Sequence, residues 1–578
     1  MLYMLLRLFM CGCMVVCFAF SSAAQFPYYQ YFQDTLRPGY RISGSFDSID
    51  VKLGSYQSTQ PTLWRPSQEV FDLSRMHTTI PIQLLPLRFS SIPHVGLQYS
   101  FGSNASQQGG ISYTQALTPN QFIQLDYKRQ NSNGAIRNSA YEYNHFELAH
   151  LVRLKRYASQ VRLLFDGVDK GTSGGIVNDS IDDSQPIEFF AVEKPIADIR
   201  YRNFMLDWQN YFSFTKDSLI KTGLYLAPHY EIRNRRYTET GDIVAIYGLA
   251  NIDPEETNDY WERTEIGGTA GYFFHTSVFS INGGLKTEYW DFDNLSVKSD
   301  TIEAGLVSDV VIQLRSRLQL KASGSYTFVG ASGEKSLDAY LYFKPNFADF
   351  NVRFLFNEMF PTNDQRAYFS NTLNYSWQSR TLITTTGLEA TLKSKIRKLP
   401  LKAGFSFKNI QNNPFFSGTS WRQDTLTNLS FLSVDLRADL SWWKLFFQPM
   451  VRVQQSNFSY VPSFQAFARL GFDGYLFKAK KLRATIGADL GYTTAFSLLD
   501  YAPQVDAYIL PNGTSMVTQY AAMPKLHAFT QFELGFFRWY IRVENIEQAF
   551  VKTVNQETLG YPVVPFQLRV GLSWDLFN

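Results

Sequence analysis

Charged side chains recur at alternate positions inside short apolar runs, and this spacing is the most abundant chemistry in the sequence. Asp435, Arg437 and Asp439 alternate with Val434, Leu436, Ala438 and Leu440. Arg483 and Asp489 do so with Ala484, Ile486, Ala488 and Leu490, and Arg469 and Asp473 with Ala468, Leu470 and Phe472. Arg353, Arg452, Arg542, Glu544 and Arg569 sit in runs of the same kind. Successive side chains of a strand point to opposite sides, so each run presents one apolar and one charged face. A wall bearing both signs of charge biases the passage of ions and polar solutes through its field and the space it leaves. These twelve residues are the candidate lining of a pore.

Other chemistries find less support. Of seven histidines only His145 and His150 lie close together, and a spacing of five puts them on opposite faces of a strand, which argues against a shared metal. Asp166, Asp169, Asp179, Asp182 and Asp183 offer calcium-type oxygens without the alternate spacing of a calcium loop. They read as a solvated loop, as do Asp253, Glu255, Glu256, Asp259 and Glu262. Gly167 to Thr172 lacks the spacing of a phosphate-binding loop, and no G-x-S-x-G motif marks a nucleophile. No catalytic residue, metal or cofactor is expected.

The elements that must position the charges are strands. The chain closes with Phe566, Leu568, Val570, Leu572, Trp574 and Leu576 on one face and Gln567, Arg569, Gly571, Ser573 and Asp575 on the other. Aromatics make up 16% of the chain and charged residues 18%, below the ~25% charged of a soluble protein. No stretch beyond residue 24 approaches the ~18 apolar residues of a membrane helix. The expected fold is therefore all-β: a transmembrane antiparallel β-barrel over residues 93–578, with an even strand number between 18 and 24. The terminal strand should pair with Trp539 to Ile546, close the cylinder and present Phe566–Phe577 to the outer-membrane assembly machinery.

Arg7, the apolar run Leu8–Phe20 and the small residues Ser22-Ala23-Ala24 predict a cleaved signal peptide over 1–24. Cys11, Cys13 and Cys17 all lie within it, so disulfides and thiolate sites are excluded from the exported chain. The remaining 53 basic and 51 acidic residues are near balance, which argues against nucleic acid as a partner. Residues 25–92 hold Pro27, Pro38, Pro61, Pro66, Pro81 and Pro86 and alternate poorly, predicting a periplasmic or lumenal extension. Polar segments at 166–186, 241–260, 357–370, 410–428 and 500–524 predict long exterior loops. Ser299-Asp300, 330–335 and 478–481 predict short connections.

Ile541 to Ile546, Gly560-Tyr561-Pro562 and the strand to Phe577 resemble the closing hairpin of large outer-membrane barrels. Phe189 to Pro195, Tyr201 to Phe204 and Asp207 to Phe212 resemble the outer-membrane porin family of the Bacteroidetes. The resemblance covers most of the chain and implies a large barrel without a plug domain and without catalytic residues. The expectation is an outer-membrane porin in a Gram-negative envelope, allowing passive or weakly selective diffusion of small solutes. A non-conducting barrel that serves as a protein-binding platform is the alternative, and an outer-membrane hydrolase a more distant one.

Overall fold

The computed structural model describes residues 87–577 apart from 89, 91, 178–184, 216–220, 315–316, 377–380, 395, 397–399, 424–427, 510–518, 521 and 551–555. The expected signal peptide and the extension up to residue 86 lie outside the described residues. Among these residues no helix is long and apolar enough to cross a membrane. The strands are β1 (His94–Gly102), β2 (Ser106–Thr118), β3 (Gln121–Ser132), β4 (Tyr141–Arg153), β5 (Tyr157–Gly171), β6 (Ala197–Ser213), β7 (Lys221–Thr240) and β8 (Glu256–His275). They continue as β9 (Phe279–Asn294), β10 (Val297–Leu314), β11 (Leu318–Val329), β12 (Lys335–Phe343), β13 (Ala348–Met359), β14 (Ile383–Ser394) and β15 (Leu401–Gln411). β16 runs over Leu429–Ala438 and Leu440–Trp442, because Pro449 on the next strand lacks a donor and breaks one rung. The last are β17 (Leu445–Ser456), β18 (Phe464–Tyr475), β19 (Leu482–Thr493), β20 (Met523–Leu534), β21 (Phe537–Glu544) and β22 (Gln567–Phe577).

Each strand pairs antiparallel with its sequence neighbours, and β22 returns to β1 in a register from His94 opposite Phe577 to Gly102 opposite Arg569. The result is a closed cylinder of 22 strands, within the expected range. Its terminal strand pairs with β21, as predicted. Closure leaves no free edge, so the ladder can satisfy backbone groups where no water reaches.

Alternation sets the two faces. Leu568, Leu572, Trp574 and Leu576 are exposed while Gln567 and Arg569 are buried, the reverse of a soluble protein. Leu432, Val434 and Leu436 on β16, and Ile486 and Leu490 on β19, repeat the pattern. The outer surface is thus apolar and the inner wall polar.

All long connections (172–196, 241–255, 360–382, 412–428, 494–522 and 545–566) leave one end of the cylinder, and both described chain termini lie at the other. The predicted loop at 166–186 begins too early, since β5 continues to Gly171, and the connection at 545–566 escaped prediction. Ser299 and Asp300 are inside β10; the turn is Leu295-Ser296. The wall is taller on one side: β7 and β8 have 20 residues each, ~65 Å at ~3.3 Å per residue. Above the lipid-facing band the outward face of these strands turns polar (Asn234, Arg236 and Thr238 on β7, Asn258 and Glu262 on β8), so the apolar alternation that marks a membrane strand fades there.

Candidate functional site

Five of the twelve predicted residues meet in one belt across β18–β22. Arg469 grips Asp489 through Nε–Oδ1 at 2.7 Å and Nη2–Oδ2 at 3.1 Å. Arg542 reaches the same carboxylate at 3.0 Å and Glu544 at 2.9 Å, and Arg569 closes on Glu544 at 3.2 Å. All five are buried, and the Arg469 guanidinium lies 5.3 Å from the Phe529 ring centroid. Bidentate, charge-assisted contacts of this kind hold geometry as well as charge. Asp489→Ala leaves Arg469 and Arg542 buried without it, and such a loss costs about 3–5 kcal/mol. Urea unfolding in detergent is expected to show it; an unchanged midpoint would mean water already screens the belt.

The other predicted residues occupy separate places on the inner wall. Arg483 pairs with Asp473 at 2.7 Å, and Arg353 with Asp338 at 2.9–3.0 Å across strands β13 and β12. Arg437 lies 3.9 Å from Asp435. Arg452 is buried, in register with Asp435 on one side and Gln465 on the other. Asp439 is exposed near the short-turn end of β16.

Two further clusters were absent from the sequence reading. Around β3–β5, Arg162 donates to Glu147, and Asp166 accepts from Tyr143 at 3.0 Å and contacts His145 Nδ1 at 2.7 Å. On β7–β9, His229 Nε2 lies between Glu265 (3.1 Å) and Glu288 (3.2 Å), with Arg263 and Lys286 holding the same carboxylates. The signal for Arg162 and Asp166 was their spacing of four, which puts both on one strand face; the His229 cluster needs the register of three strands. His145 and His150 do lie on opposite faces. Asp166 and Asp169 form no loop cluster: Asp169 faces outward onto Arg200 and Arg202. Asp179, Asp182 and Asp183 lie outside the described residues.

The long connections form a packed roof over one mouth. Segments Phe415–Phe416, Trp421–Arg422, Asp500–Ala502 and Ala507–Ile509 make a small four-stranded sheet. It packs Phe416, Trp421, Ala502 and Ala507 against Trp261, Trp290 and Phe292 of the wall and Tyr368, Leu373 and Tyr375 of a neighbouring loop. The roof is latched by Asp506, which accepts from Lys170 Nζ (2.7 and 2.9 Å), the Tyr201 hydroxyl (2.6 Å) and the Tyr501 hydroxyl. Arg235 Nη2 donates to the carbonyls of Pro503 and Gln504 at 3.0 and 2.9 Å. Burial, then the Asp506 carboxylate beside it, pushes the Tyr501 phenol far above its usual range and keeps it a donor.

A second clamp is Asn371, which donates to the carbonyls of Asp253 (2.6 Å) and Glu256 (2.9 Å) and receives the Ile252 and Asp253 amides. Asp259 accepts the Asn371 amide at 2.8 Å and is buried, whereas Asp253, Glu255, Glu256 and Glu262 are exposed; of the acidic run, Glu256, Asp259 and Glu262 belong to strand β8 rather than to a loop. One backbone donor, the Asn371 amide, meets this buried carboxylate and offsets part of the cost of its burial.

The wall and roof can be set beside known proteins. Comparison with curated protein sequences gives no match. Among solved structures, the FrpB iron transporter from Neisseria meningitidis (F3-3 variant) is similar at TM-score 0.57 and 10% identity, over 84% of this chain and 82% of that one. The copper transporter OprC gives 0.59 and 10%, over 85% and 81%. The siderophore receptor PirA from Acinetobacter baumannii gives 0.60 and 9%, over 84% and 81%. At such identities the likeness is one of fold, that of large outer-membrane barrels. A family described as "Putative porin" matches residues 90–578, nearly the whole described cylinder, and the chain belongs to that family.

Proposed function

We propose that the protein is an outer-membrane porin that passes small polar solutes with weak selectivity, limited at its outer mouth by the loop roof. The observation that carries this reading is the closed wall with an apolar exterior and a charged interior. Acids and bases pair across neighbouring strands, so the wall presents polar groups of both signs without one dominant field. Such a lining favours hydrated solutes over a single ion type. In this reading the long connections face the exterior and the short turns the periplasm, as in other outer-membrane barrels. The described residues just before β1 lie on the lumenal side. Ala116 N–H donates to the Ser90 carbonyl at 2.9 Å, and Arg88 binds Gln124 at 2.7 Å and Asp126 at 2.5 Å on the inner wall.

Arg437, half-exposed on the inner face, tests the lining. Arg437→Glu reverses one wall charge and is expected to move the reversal potential in asymmetric KCl toward cation selectivity, with folding unchanged. An unmoved reversal potential would remove Arg437 from the conduction path.

The roof itself favours a second reading, a sealed barrel that binds other proteins through its loops. Bilayers that stay non-conducting with correctly inserted protein would support that reading over the porin.

A further inference from the structure

We propose that the short-turn rim binds the phosphodiester headgroups of anionic phospholipid, with its main site in the cleft between the β16–β17 and β18–β19 turns. With the strand bounds in place, the charges of the connections separate by end. Among the described residues the short-turn connections hold eight Lys or Arg and no acid, a net +8; those at the other end hold four Lys or Arg and eleven Asp or Glu, a net −7. A nearly neutral chain is therefore strongly polarised along the barrel axis. The basic collar lies where headgroups of the adjoining leaflet must sit.

The cleft has a volume of about 630 Å³ and is lined by Lys444, Gly474, Phe477, Lys478, Lys480 and Arg483, among others. Lys478, Lys480 and Lys481 are exposed and make no ion pair among the described residues. Arg483 and Asp473 satisfy each other at its inner edge, leaving the lysines to an outside anion. Lys444 runs along the outer surface, its ammonium 5.3 Å from the Trp443 ring and 5.5 Å from the Phe472 ring. Gly474 keeps this path open, because a Cβ there would lie 2.8 Å from Lys444 Cδ. The lysine thus lays an apolar stem on a lipid-facing wall and lifts its charge to the rim.

The aromatics at the cleft indicate a lipid rather than a soluble anion or an acidic protein. Trp442, Trp443 and Phe477 are 79%, 82% and 63% exposed at one point of the rim. Trp443 also holds a left-handed backbone (φ 57) in a two-residue turn, a position that favours glycine or asparagine. No packing in the fold accounts for a tryptophan there. Seating at the membrane–water interface does, since indole rings settle at headgroup level. Juxtamembrane lysines add attraction to anionic headgroups of roughly fivefold each.

This inference rests on the membrane placement and short-turn orientation given above, and is independent of solute passage. The test uses purified full-length protein in neutral detergent, titrated with dioctanoyl phosphatidylglycerol or dioctanoyl phosphatidylcholine and read by native mass spectrometry. Preferential retention of phosphatidylglycerol is expected. The triple variant Lys444→Gln, Lys478→Gln, Lys480→Gln should weaken it on the order of a hundredfold while phosphatidylcholine binding stays unchanged. Trp443→Ser should weaken both lipids, as loss of an interfacial anchor would. If the triple variant fails to give the heat-modifiable folded band, Lys478→Gln alone should show about fivefold. Equal phosphatidylglycerol binding by folded wild type and variant would overturn the proposal. Displacement of the lipid by equimolar inorganic phosphate would also do so, since the site would then be one for a free anion.

Discussion

Replacing Asp506 with alanine is expected to unlatch the roof and widen the outer mouth. The carboxylate joins Lys170 of β5, Tyr201 of β6 and Tyr501 of the loop itself, and no water-exposed surface is available to replace those contacts. Removing one partner of a buried charged pair costs about 3–5 kcal/mol, most of it from the charge left behind. The 22-strand ladder does not depend on this loop, so the loss should fall on the roof alone. Two readouts follow. Proteolysis of intact cells should newly cut within 494–522, and proteoliposomes should swell in sugars too large for the wild type. Asp506→Asn, which keeps the acceptor but not the charge, should lie between the two. Wild-type protection and an unchanged size limit in Asp506→Ala would mean that the aromatic packing around Trp421 and Trp261 holds the roof without the latch.

Val434→Arg is expected to impair insertion. Val434 is half-exposed on the outer face of β16, between the polar neighbours Ser433 and Asp435. A charge facing lipid near mid-membrane costs ~2–4 kcal/mol in a barrel of this kind. The folded, heat-modifiable fraction in the outer membrane should fall, while Arg437→Glu three residues on should insert normally. The contrast between an outward and an inward charge on one strand tests the facing assignment. Equal insertion of both would place the lipid elsewhere.

The alternation that assigns Val434 and Asp435 to opposite sides was legible in sequence because lipid on one face and polar groups on the other enforce it residue by residue. The same force made the closing strand and its mate on β21 recognisable. Where lipid ends, so does the signal. Ser299 and Asp300 lie in a strand portion that is polar on both faces, and they looked like a turn for that reason. The belt of Arg469, Asp489, Arg542, Glu544 and Arg569 was predicted as separate inward residues; its connectivity depends on the register of five strands. The roof was invisible because its contacts are remote: Asp506 meets Lys170 and Tyr201 across some three hundred residues, and Asn371 meets Asp253 across more than a hundred. Polar loops read one at a time look solvated, and only their convergence on Trp261, Trp290 and Phe292 buries them.

In the proposed reading a polar passage runs through the cylinder and is restricted by the roof. Single-channel recording of the wild-type protein in planar bilayers tests it most directly. A small, steady conductance is predicted, increased several-fold by Asp506→Ala. Inserted protein that stays sealed in both forms would contradict it.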